Sequence, residues 1–105
     1  MKVRFHHLAT GEMRESARYY ERQCTGLGAA FLGSIQTSIA FLKEHPEGAQ
    51  AVSRDVRRKL IDRFPYALVY AFEGGEILIL AVANLRRRPF YWKDRISGGE
   101  GNLGT

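Results

Sequence analysis

Two basic clusters and one tyrosine carry the residue types in this chain that suit phosphate chemistry. The first cluster is Arg57–Arg58–Lys59 and the second is Arg86–Arg87–Arg88, with Tyr91 close behind. Cleavage of RNA at a 2′-hydroxyl needs a base for the 2′-proton, cations to hold the phosphate as charge builds, and an acid for the leaving oxygen. Arginine supplies the second service, and its planar fork also suits carboxylates and base edges. A tyrosine with a perturbed pKa can transfer a proton. The stretch Val56–Arg95 contains no histidine, since His6, His7 and His45 all precede it. These residues therefore point to polyanion binding more firmly than to acid–base catalysis. Arg58, Lys59, Arg87 and Tyr91 are the candidate catalytic set. Arg57, Arg63, Arg86, Arg88, Trp92 and Arg95 are candidates for holding nucleic acid or another target. Phe90 and Trp92 offer flat rings on which bases can stack, although a Phe-Tyr-Trp run equally suits a core or a partner interface.

Other chemistries find little support. His6 and His7 are adjacent, so on a strand they face opposite ways and cannot share a metal ion. Cys24 is the single cysteine, which removes both a disulfide framework and the usual ligand spacings; near a helix end it reads as a small buried hydrophobe. Gly74–Gly75 reads as a hairpin turn and not as a phosphate-cradling loop. No serine has a His–Asp partner pattern. No metal and no cofactor is expected.

The charge distribution agrees with a polyanionic partner. The 105 residues carry 16 Lys and Arg against 11 Asp and Glu, a net charge of +5. Residues 53–95 hold ten of those basic side chains and five of the acidic ones, so the whole excess lies on or beside Val56–Arg95. The longest apolar run, Ile77 to Ala83, is too short to span a bilayer, and the N-terminus lacks a signal-peptide core. A soluble cytoplasmic protein with no membrane partner is expected.

The elements that position these residues follow from periodicity. Val3–Leu8 alternates as a short strand. Met13, Ala17, Tyr20 and Cys24 mark one face of a helix over Ala9–Gln23, with Thr10 as its N-cap. Gly26 and Gly28 form a link, and Leu27, Phe31, Ile35, Ile39 and Leu42 mark a second helix over Leu27–Glu44, stopped by Pro46. Strands follow at Val56–Ile61, Tyr66–Phe72 and Ile77–Ala83, and Pro89 starts a short helix. The expected fold is α+β, in the order β-α-α-β-β-β with a short C-terminal helix. The helical hairpin packs on one face of a mostly antiparallel four-stranded sheet, and the other face stays open. Residues 1–95 form the domain, and 96–105 are read as a flexible Gly-rich tail.

With those residues in view, the chain resembles the RelE/ParE superfamily of toxins from type II toxin–antitoxin, or plasmid stabilisation, modules. The resemblance covers Val3 to Arg95. It rests on FPYALVY (Phe64 to Tyr70), ILAVANLRRRPFYWKDR (Ile79 to Arg95), ARYYERQ (Ala17 to Gln23), the GLG link and the Pro46 stop. It implies a toxin neutralised by a cognate antitoxin, as a homodimer or as a heterotetramer with that antitoxin. One branch of the family cleaves messenger RNA on the ribosome; the other poisons DNA gyrase. By resemblance, Tyr91 matches the nucleases' C-terminal tyrosine, and Arg58, Lys59 and Arg87 match basic positions. Ala67 stands where the nucleases carry arginine, and Asn84 and Leu85 stand where they carry arginine or histidine. A growth-inhibiting toxin is the leading expectation. A ribosome-dependent endoribonuclease and a non-toxic, antitoxin-binding member are the alternatives.

Overall fold

The structure is a computed structural model that describes residues 1–96. The elements run β1 (Lys2–Phe5), α1 (His7–Gln23), α2 (Leu27–Glu44), β2 (Gln50–Ala51), β3 (Val56–Leu60), β4 (Tyr66–Glu73) and β5 (Glu76–Asn84), with a 3-10 turn at Lys93–Arg95. The strand order is β1-β5-β4-β3-β2. β1 runs parallel to β5, and every other neighbouring pair is antiparallel. The expected α+β class and helical hairpin are present, but the sheet has five strands. The extra one, β2, is two exposed residues at the edge. Two residues show no periodicity, which is why the sequence conceals it. The tail expected at 96–105 lies, apart from Ile96, outside the described residues.

The helices cover one face. Phe31, Ile35 and Leu42 of α2, with Ala9 of α1, bury against Tyr66, Leu68 and Tyr70 of β4 and Ile77, Ile79 and Val82 of β5. Tyr20, Phe31, Phe64 and Tyr66 form an aromatic cluster within this core, with Tyr20 and Phe64 rings 4.8 Å apart and Phe31 and Tyr66 rings 4.9 Å apart. The hairpin link is tight. Gly26 takes a left-handed φ of 92°, and a Cβ on Gly28 would lie 2.7 Å from the Ala17 carbonyl oxygen. The Glu21 carboxylate accepts from the Gly26 and Gly28 N–H groups, satisfying the start of α2.

Four local expectations change. β1 ends at Phe5, and the His6 N–H donates to Ile79 O at 2.8 Å as the last rung. His6 then caps α1: its Nδ1 accepts from Leu8 N at 3.1 Å, so α1 begins at His7 and Thr10 lies inside it. The two histidine rings stack with centroids 4.6 Å apart instead of facing opposite ways. Cys24 caps the other end of α1 and is exposed, because the chain leaves the core there.

The second sheet face is not open. The chain after β5 folds back and places Trp92, 6% exposed, against Val56, Val69, Leu80, Ala81 and Ala83. No helix starts at Pro89. Phe90 instead takes a left-handed φ of 63°, which ends any helix before it forms. A register shift helps build this face. Val69 pairs with Ala81 and Tyr70 with Ile79, so Leu80 is an extra residue on β5. Such a bulge re-aims the side chains around it. Leu80 and Ala81 therefore both pack on the Trp92 side, and Val82 returns to the helix side.

Candidate functional site

Strand alternation divides the first basic cluster. Val56 and Arg58 face Trp92, whereas Arg57 and Lys59 face the helices. Arg57 Nη1 donates to Ala49 O at 2.9 Å and Glu47 O at 3.3 Å. It ties down the loop after α2, where the Tyr70 hydroxyl also donates to Pro46 O at 2.7 Å. Burial pushes the Tyr70 phenol above its ordinary pKa. Lys59 Nζ lies 4.9 Å from the Phe41 ring centroid and donates to Leu60 O. Arg57 and Lys59 are thus on the opposite side of the sheet from Arg58.

Arg58, Arg87, Arg88 and Tyr91 come together. They line one cavity of ≈ 120 Å³ beside Ala67 and Asn84, with Phe90 at its lip. The floor is apolar, from Val69 and Ala83. Two buried polar atoms at this place, Arg58 Nε and the Tyr91 hydroxyl, make no hydrogen bond of ordinary geometry. Arg58 and Arg88 form no ion pair among the described residues. The Arg87 guanidinium carbon stacks 3.7 Å from the Tyr91 ring centroid. The Tyr91 phenol is pushed up to about 12, first by burial and then by the nearby Glu12 carboxylate, with Arg87 and Arg95 pulling the other way. At neutral pH this hydroxyl is a donor and not a base. Among the described residues no His, Asp or Glu lines the cavity, so it joins three arginines and the Tyr91 side chain without a base.

Trp92 also lines this cavity, but it is 6% exposed and packs into the second core, so little of its ring is available for a base to stack on. The other candidates lie elsewhere. Arg86 lines a separate groove with Tyr19, Tyr20 and Tyr66. Burial and the neighbouring Tyr66 push the Tyr20 phenol up there. Arg63 has a left-handed φ of 74° and rests over the Phe64 ring at 5.6 Å, away from the cavity. Arg95 is 11% exposed at its side chain and is engaged by Glu12. No three His, Cys, Asp or Glu among the described residues are grouped so as to hold a metal ion. No helix among them is long and apolar enough to cross a membrane.

Glu12 is the residue that sequence reasoning missed. Its carboxylate accepts from Val82 N at 3.0 Å and from both Arg95 terminal nitrogens, Nη1 at 3.1 Å and Nη2 at 2.8 Å. Arg87 Nη1 approaches it at 3.5 Å. On the sequence Glu12 is one more acidic residue in the first half of a helix, and nothing in its spacing links it to residues more than seventy positions away.

No family model matches the chain, and no curated protein matches it. Among solved structures, a chain described as "Chromosomal ParDE TA system from P. aeruginosa" superposes with a TM-score of 0.60 at 18% identity, over 82% of this chain and 97% of that one. Helical hairpin, mixed sheet and element order together give this chain the α+β fold of that ParDE system chain.

Proposed function

We propose that this chain is the toxin of a type II toxin–antitoxin pair, neutralised by a cognate antitoxin. In this reading it arrests growth by seating an anionic group of its target in the Arg58–Arg87–Arg88 cavity, without cutting that target. The shared fold supports the first part, because the similar solved chain is described as belonging to a toxin–antitoxin system. The observation that carries the second part is the composition of the cavity: arginines and a protonated phenol, with no base among its lining residues. Arginine and tyrosine alone bind and polarise a phosphate or carboxylate, but they do not remove a proton from a hydroxyl. DNA gyrase is therefore favoured as target over messenger RNA on the ribosome.

A supercoiling assay with purified gyrase tests this reading. The chain inhibits supercoiling, and Arg58→Ala relieves the inhibition. The ribonuclease reading has one specific observation behind it, the meeting of Arg58, Arg87 and Tyr91 in one cavity. Transcript cuts in codon register, with gyrase unaffected, would replace the proposal with that reading. Unimpeded growth at full soluble expression would leave only antitoxin binding.

A further inference from the structure

Four side chains close a ring of contacts at the end of β5. Glu12 holds Arg95 through two hydrogen bonds. The Arg95 guanidinium carbon lies 5.2 Å from the Tyr91 ring centroid, and that of Arg87 lies 3.7 Å from the same ring. Arg87 returns to Glu12 at 3.5 Å. Two members of this ring, Arg87 and Tyr91, line the cavity; Glu12 and Arg95 do not. We infer that Glu12 is a positioning residue for the anion cavity: it fixes Arg87 at the rim from outside, without touching what binds there. The inference rests on the cavity being an anion site.

The geometry separates this role from a purely structural one. The Glu12 side chain is 15% exposed and its carboxylate is already satisfied by Arg95 and Val82 N, so the core needs nothing from Arg87. Arg87 is 53% exposed at its side chain, and among the described residues that side chain is anchored by the Tyr91 ring and Glu12. A guanidinium has five N–H donors in a rigid fork. Two anchors on one side leave the other donors pre-aimed, which removes part of the ordering loss on binding. Among the described residues Glu12 is the acidic partner of both Arg87 and Arg95. Its charge therefore sets how two guanidiniums share one tyrosine ring.

Inorganic pyrophosphate serves as the probe, with its dissociation constant measured by calorimetry on the wild-type chain, Glu12→Gln, Arg87→Ala and the double variant. Gln keeps an acceptor for Val82 N and loses the charge. Glu12→Gln weakens binding on the order of fivefold, and in the Arg87→Ala background it changes nothing. Tighter binding by Glu12→Gln would mean that Glu12 competes with the ligand for Arg87, and unchanged binding would mean a structural role only; either overturns the inference. No binding by the wild-type chain overturns the anion cavity itself, and the inference with it. A second measurement needs no variant. NMR order parameters of the wild-type arginine Nε–H groups give Arg87 a distinctly more rigid side chain than Arg88, and equal mobility of the two overturns the positioning role.

Discussion

Glu12 and Arg95 face each other as a bidentate pair at 2.8 and 3.1 Å, although 83 positions separate them. Together they do what a strand would do. β1 pairs with β5 only as far as Ile79, so the rest of that β5 edge has no neighbouring strand among the described residues. Glu12 takes the Val82 N–H, and Arg95 donates to the Leu80 carbonyl at 2.9 Å. Backbone groups that would otherwise be buried without partners are satisfied by side chains. Arg95→Ala should therefore destabilise the domain by about 3 kcal/mol, because it leaves a largely buried carboxylate unpaired. Arg87→Ala breaks a longer, half-exposed contact and should cost under about 1 kcal/mol. Urea unfolding of both variants checks this; equal losses would contradict it.

Arg58 and Lys59 are adjacent in sequence and opposite in space. Arg58→Ala should abolish most growth inhibition at unchanged soluble expression, while Lys59→Ala should leave it intact and lose the contacts with Phe41 and Leu60 O. Growth curves after induced expression compare the two. Equal loss from both would place the active surface outside the cavity.

The legible part of this molecule was the part written in local periodicity. Helix α2 stands where its apolar stripe places it, and the Gly74–Gly75 turn takes φ values of 61° and 75° as a two-residue hairpin requires. The candidate site was half legible. Charge and residue type marked Arg58, Arg87 and Tyr91, but only pairing register shows that Lys59 points away. The fold-back of Trp92 depends on the bulge at Leu80 and on the Glu12–Arg95 pair. Both are long-range relationships with no local signature. Alternation continues past Phe5 and predicts a strand residue at His6; the cap on Leu8 N competes with that pattern and wins.

Tyr91 gives a pH signature. Its phenol is raised from 10.0 to about 12 in the folded chain, so the folded state holds the proton more tightly than the unfolded state. The associated stability is full below pH 10 and is lost as pH rises through about 12. Tyr91→Phe should remove that loss. Unfolding free energies measured across this window should fall more steeply for the wild-type chain than for the variant; parallel curves would contradict the burial of the hydroxyl.

His6 acts at the other end of the scale. Burial, followed by the nearby His7 and Arg95, lowers its pKa from 6.5, with Glu12 opposing. The folded state favours the neutral ring, so this contribution is present above pH 6.5 and is lost as pH falls below it. Protonation also removes the Nδ1 acceptor that caps α1. His6→Asn keeps a capping side chain and should flatten the acid side of a melting-temperature profile.

Arg63 holds a left-handed backbone conformation and forms no ion pair among the described residues. Arg63→Gly should stabilise the chain by about 0.5 kcal/mol, the relief of the left-handed strain less the added backbone entropy of glycine. Growth inhibition should not change, since Arg63 lies away from the cavity. Reduced toxicity with raised stability would draw Arg63 back into the functional surface.

Toxicity through the Arg58–Arg87–Arg88 cavity, as proposed, is read from growth of a bacterial host after induced expression of the wild-type chain and of Arg58→Ala at matched soluble levels. The wild-type chain should halt growth and Arg58→Ala should restore it. Unimpeded growth with the wild-type chain, or equal arrest by both, would contradict the account.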